Sequence, residues 1–214
     1  MCIRCFASNL PFYPGPPRIL SATNSNETFP WRELMSLLAD ISHQAGARGL
    51  PCILCGGHAV IVHGFPRTTF DFDFIIRRTD RAGWLSLLSN FGYTIFQENP
   101  AFLQMSGPDK ASPPVDLMFV NEETFQKLSA ETIRAPEVVF EASVVSLRHL
   151  LAMKCHAIKS GRQGRIEKDV DDVIELVRIN NVDVTRPEWK ELINKYGPPE
   201  LYEKLERIIK RRQS

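Results

Sequence analysis

The sequence predicts an α+β fold, a mixed sheet with interleaved helices followed by a purely helical C-terminal region. Two observations carry that prediction. Before residue 121 the apolar runs are short, alternate at period two or stand as brief blocks, and are punctuated by glycine and proline, which marks strands and turns. After residue 145 the apolar runs repeat at helical spacing instead. The chain divides accordingly into a disordered leader over 1–28, an αβ core over 29–142 and a helical region over 143–214.

The leader is assigned because residues 9–28 are dominated by Pro, Ser, Asn and Thr, with too little apolar surface to offset the entropy of ordering. Residues 30–48 place Leu34, Leu37, Leu38 and Ile41 on one helical face, with Pro30 suited to a first turn. A short strand at 52–55 meets Gly56-Gly57, and 58–63 then form a short buried helix ended by Gly64. In 69–77, Phe70, Phe72 and Phe74 alternate with Asp71 and Asp73, a strand pattern. Trp84, Leu85, Leu87 and Leu88 define a helix over 80–90, and strands follow at 93–97, 101–105 and 115–120. A link containing EVVFEA leads into helices over 146–159, 166–179, 187–195 and 199–212.

Composition excludes several classes of function. With 43% hydrophobic and 24% charged residues, the chain is neither disordered nor collagen-like. The most apolar stretch, 52–65, is broken by glycine and histidine and falls short of the roughly 20 apolar residues of a membrane span, so no membrane partner is expected. The N-terminus has no secretory pattern, and the expected location is cytoplasmic. A net charge of +1 announces no anionic partner, so any nucleic acid must be met by a local patch. Five cysteines are too few and too odd in number for a disulfide framework. The CxxC pairs Cys2/Cys5 and Cys52/Cys55 invite comparison with zinc sites, yet Cys52 and Cys55 sit in an apolar strand and read as small buried hydrophobes.

The chemistry is concentrated in GGHAVIVHGFPRTTFDFDFIIR. Asp71 and Asp73, two apart on a strand, project from one face, and their mutual repulsion is best relieved by a cation. Oxygen-only ligands favour magnesium or manganese over zinc. Gly56-Gly57 ends a strand and opens a helix, where bare backbone admits a phosphate. Asp116, alone in the apolar strand VDLMFV, is costly to bury unless it is paired or binds metal, and its natural role is the third metal ligand and base.

A hydrophobic strand, Gly-Gly, 13 residues (58–70), Asp-Phe-Asp-Phe and a later strand Asp together resemble the nucleotidyltransferase superfamily related to DNA polymerase beta. Within it, GGHAVIVHGFPRTTFDFDF is similar to the bacterial branch that includes the AbiEii-type toxins of toxin-antitoxin systems. LLAMKCHAIKSGRQGRIEKDVDDVIEL resembles that branch's helical region. Many superfamily members carry Gly-Ser, whose hydroxyl contacts phosphate; here Gly57 and His58 stand in that turn.

The resemblance implies a mixed-sheet nucleotidyltransferase core in which Gly56 and Gly57 hold the triphosphate. It implies that Asp71, Asp73 and Asp116 ligate magnesium (or manganese), with Asp116 activating the acceptor hydroxyl. Arg67 and Thr69 would touch phosphate, and Lys154, Arg165 and Lys168 would neutralise its charge. The implied partners are a nucleoside triphosphate, an acceptor such as tRNA, a protein or a small molecule, and an antitoxin protein.

Other features read more plainly. His58 and His63 lack the spacing of a shared helical face and are expected in the core. The run from Lys168 through Asp169, Asp171 and Asp172 reads as a solvated helix face. The basic stretch 202–214 reads as a soluble helix tip. The alternatives to the enzyme are a non-catalytic nucleotide-binding regulatory module and a metal-dependent phosphohydrolase.

Overall fold

The structure, a computed structural model, describes residues 31–136, 142–161 and 166–213. The expected leader, residues 137–141 of the EVVFEA link, Arg165 and the Cys2/Cys5 pair lie outside these residues. In chain order the elements are α1 (Trp31–Ala47), β1 (Cys52–Leu54), α2 (Gly56–Val62), β2 (Phe72–Arg77), α3 (Arg81–Asn90), β3 (Thr94–Asn99), β4 (Phe102–Ser106) and β5 (Val115–Val120). They continue with α4 (Glu122–Ser129), β6 (Ile133–Arg134), β7 (Ser143–Val144), α5 (Leu147–Lys159), α6 (Ile166–Ile179), α7 (Pro187–Tyr196) and α8 (Leu201–Gln213). No helix among the described residues is long and apolar enough to cross a membrane.

The seven strands form one mixed sheet in the order β3-β4-β5-β2-β1-β7-β6. The central strands β2 and β5 run parallel, and each is flanked on its outer side by an antiparallel partner, β1 and β4 respectively. One face of the sheet is apolar across its central strands: Phe72, Phe74, Ile76, Leu103, Val115 and Leu117 are all completely buried. Helix α3 packs on this face, with the Phe74 and Trp84 rings 5.5 Å apart. Burying each such side chain contributes about 2–3 kcal/mol, which explains why the period-two pattern of β2 sets its facing.

Two expectations need correction. The sheet does not stop at residue 142, because Ser143–Val144 joins it, Val144 pairing with Leu54 of β1 and Ile133 of β6. The purely helical region therefore begins at Leu147, where Ser146 caps α5. A strand of two residues is too short to leave a periodicity, so its membership rests on tertiary pairing. The second concerns α4, where no element was assigned. Asn121 caps it, its side-chain oxygen accepting the Thr124 N–H at 2.8 Å, and Phe125 is buried.

A candidate metal and nucleotide centre at the glycine turn

Three carboxylates meet where the parallel strands begin. Asp73 is the second residue of β2 and Asp116 the second of β5, and the register pairs them directly. Paired residues on adjacent strands point to the same side of a sheet, and Asp71, two residues back from Asp73, joins them. One carboxylate oxygen from each of Asp71, Asp73 and Asp116 lies within 4.8 Å of the others.

Each acid is held by its own neighbours. The Thr69 hydroxyl donates to Asp71 Oδ1 at 2.7 Å. The Gln104 side-chain amide donates to Asp116 Oδ1 at 2.8 Å. The Gly57 N–H donates to Asp73 Oδ2 at 3.4 Å. Burial and then repulsion from Asp71 and Asp116 push the Asp73 carboxyl up to about 7, against the opposing pull of the Gly57 N–H and Lys154. A carboxyl driven toward its protonated form by burial and then by neighbouring acids sits where positive charge is short. The donor set, all oxygen, fits a hard divalent cation.

The glycines are required by space as well as by backbone. Gly56 has φ +58, and a Cβ there would lie 1.8 Å from Asp73 Oδ2. A Cβ on Gly57 would lie 2.1 Å from Thr69 Oγ1 and 2.5 Å from the Arg67 guanidinium. The turn is thus pressed against the carboxylates, and Arg67 and Thr69 form its far wall. Arg67 also ion-pairs with Asp172 of α6 at 3.4 Å.

Lys154 of α5 reaches the same neighbourhood. It bridges Asp169 and Asp172, at 2.7 Å each, and its charge acts on Asp73. The expectation that Asp169 and Asp172 lie on a solvated face is overturned: both are buried, on the side of α6 turned to Lys154 and Arg67. Asp171 and Lys168 are solvent-exposed. Lys168 sits about 100° round the helix from Asp169, so it is not gathered with Lys154.

His58 and His63 belong to the core. His58 packs on Phe72 at 5.3 Å between ring centres, and burial lowers it to about 4, so it is neutral at pH 7. His63 Nε2 meets the Val145 carbonyl at 2.8 Å. Cys52 and Cys55 are free, and burial raises both thiols, Cys52 to about 12. Gln104 was missed by sequence reasoning. A glutamine on a half-buried strand carries no local signal, and only the register opposite Asp116 reveals it.

No protein-family profile matches this sequence, and no curated protein is similar to it by sequence. Solved structures are similar in fold. The antibiotic-resistance factor ANT(2'')-Ia superposes with a TM-score of 0.58 at 16% identity, over 84% of this chain and 98% of its own. The Megavirus polyadenylate synthase gives 0.52 at 14% identity, over 75% of this chain and 34% of its own. An antigenic nucleotidyltransferase-like protein from Paracoccidioides brasiliensis gives 0.50 at 17% identity, over 82% and 93%. The chain has the α+β fold of these structures.

Proposed function

We propose that this chain is a magnesium-dependent nucleotidyltransferase that moves a nucleoside monophosphate from a nucleoside triphosphate to an acceptor hydroxyl and releases pyrophosphate. The observation that carries the reading is the convergence of Asp71, Asp73 and Asp116 within 4.8 Å beside a glycine turn that admits no side chain. Bound by these three acids, magnesium or manganese would supply the positive charge that offsets the triphosphate and lowers the pKa of the acceptor hydroxyl.

The chain's own groups do the rest. The bare backbone of Gly56 and Gly57 lets the triphosphate approach, and Arg67 stands beside it. Lys154 is assigned to the charge of the departing pyrophosphate; Lys168, exposed on another side of α6, is given no part in it. Thr69 keeps Asp71 in orientation, and Gln104 does the same for Asp116. Asp116 takes the proton of the acceptor hydroxyl as its oxygen bonds to the α phosphorus. The bond from that phosphorus to the bridging oxygen breaks, and its electron pair leaves with pyrophosphate.

Labelled triphosphate transfer, measured with Asp71→Asn and Asp73→Asn, tests the assignment. Both variants should fold and lose transfer by about a hundredfold to ten-thousandfold; full activity in either overturns it. Triphosphate binding without pyrophosphate release would mark the non-catalytic module instead. The AbiEii likeness carries a second reading, a toxin that acts on tRNA or a protein and is restrained by an antitoxin. Host growth arrest on expression, relieved by Asp71→Asn, is the test of that role.

A further inference from the structure

The sheet face beside Asp116 continues past the carboxylates. The pairs Asp73↔Asp116, Asp116↔Gln104 and Gln104↔Gln97 run one polar row across β2, β5, β4 and β3 to the sheet edge. The neighbouring row on the same face is apolar, with Phe102 of β4 opposite Met118 of β5. Both are only half-buried, whereas Leu103 and Leu117 on the other face are fully buried. At the rim Phe96 is 69% exposed, where the β3–β4 register shifts between Ile95 and Gln97; Ile95 pairs with Met105 and belongs to the other face. The result is a shelf with side-chain amides, an apolar floor and an aromatic edge, continuous with the candidate base.

Its charge selects what it can hold. None of the positions that the register places on this face of β3, β4 and β5 is Lys or Arg. Arg77, on the same face of β2, is occupied by Asp80 and Glu122. A nucleic acid needs several phosphates neutralised for useful affinity, and among the described residues this face of β3, β4 and β5 offers no cation for them. Amides close to an apolar floor and an exposed aromatic suit a ring that carries hydroxyls on its edge and carbon on its face.

We infer that the acceptor is a small, non-anionic polyhydroxyl compound seated on this shelf with its reacting hydroxyl at Asp116, an inference that rests on the nucleotidyltransferase reading. Its oxygen forms the new bond to the α phosphorus, its proton passes to Asp116, and pyrophosphate leaves with the electron pair of the broken bond.

The test incubates the full chain with each α-labelled nucleoside triphosphate, magnesium and three fractions of a cell extract. These are small solutes that pass an anion exchanger, small solutes that it retains, and macromolecules. Label should enter the first fraction. Gln97→Ala and Phe102→Ala should each require about tenfold more of that fraction for half-maximal labelling, at unchanged KM for the triphosphate. Label confined to retained solutes, RNA or protein overturns the acceptor and leaves the enzyme standing, and an unchanged requirement in both variants overturns the seat. Pyrophosphate release with no labelled acceptor overturns the inference in favour of hydrolysis. Triphosphate binding with neither label nor pyrophosphate overturns the enzyme reading itself. A dimer in sedimentation that Phe96→Glu dissociates also overturns it, since a second copy would then cover the rim.

Discussion

Asp73 is the residue on which charge and function are most tightly opposed. Its carboxyl, raised to about 7 by burial and by Asp71 and Asp116, holds a proton in the metal-free folded state that the unfolded chain releases near 3.8. The native state therefore binds more protons between those values, and this group's contribution to stability falls as pH rises from about 4 to about 7 and is level above. Cation binding requires the ionised form, so the apparent affinity for manganese should drop about tenfold per pH unit below 7 and stay flat above it. Calorimetric titration over pH 5–9 reads this directly. Asp73→Asn keeps an oxygen for the Gly57 N–H while removing one like charge. It should raise the metal-free melting temperature by a few degrees, on the order of 1 kcal/mol, while abolishing transfer.

Among the elements, the turn between β1 and α2 is the least tolerant of change. Gly56→Ala combines a positive φ, worth about 1–2 kcal/mol of strain in any other residue, with a Cβ that meets the Asp73 carboxylate at 1.8 Å. The variant should melt lower, and its KM for triphosphate should rise together with a fall in kcat, because both the phosphate seat and a metal ligand move. Helix α4 depends on a different local device. Asn121→Ala removes the oxygen that accepts the Thr124 N–H and should lower stability by about 1 kcal/mol without altering transfer. The helix is short and buries only Phe125 among its residues, so no element was assigned to it from the sequence. The long helices α5 and α6, with several apolar residues per face, were readable to within a residue or two.

Across the whole molecule, the helical region is fastened to the core by charge as well as by apolar packing. Asp172 of α6 lies between Lys154 of α5 and Arg67 of the loop before β2, and its side chain is 2% exposed. Removing Asp172 takes the carboxylate from Arg67 and leaves Lys154 with Asp169 alone, and an uncompensated buried cation costs about 3–5 kcal/mol. Asp172→Ala should accordingly lower the melting temperature by about 6–20 °C. Asp171→Ala, on the exposed side of the same helix, should change it little. The sequence by itself determined the strands β2 and β5, the long helices and the identity of the three acids, because period, glycine placement and an acid in an apolar run are properties of neighbouring residues. Tertiary structure decided which side chains share a face across strands that are distant in the chain. It brought Gln104 to Asp116, joined β7 to the sheet, and buried Asp169 and Asp172 rather than leaving them in solvent. Register and helix facing are set by what packs across the gap, and no run of adjacent residues carries that information.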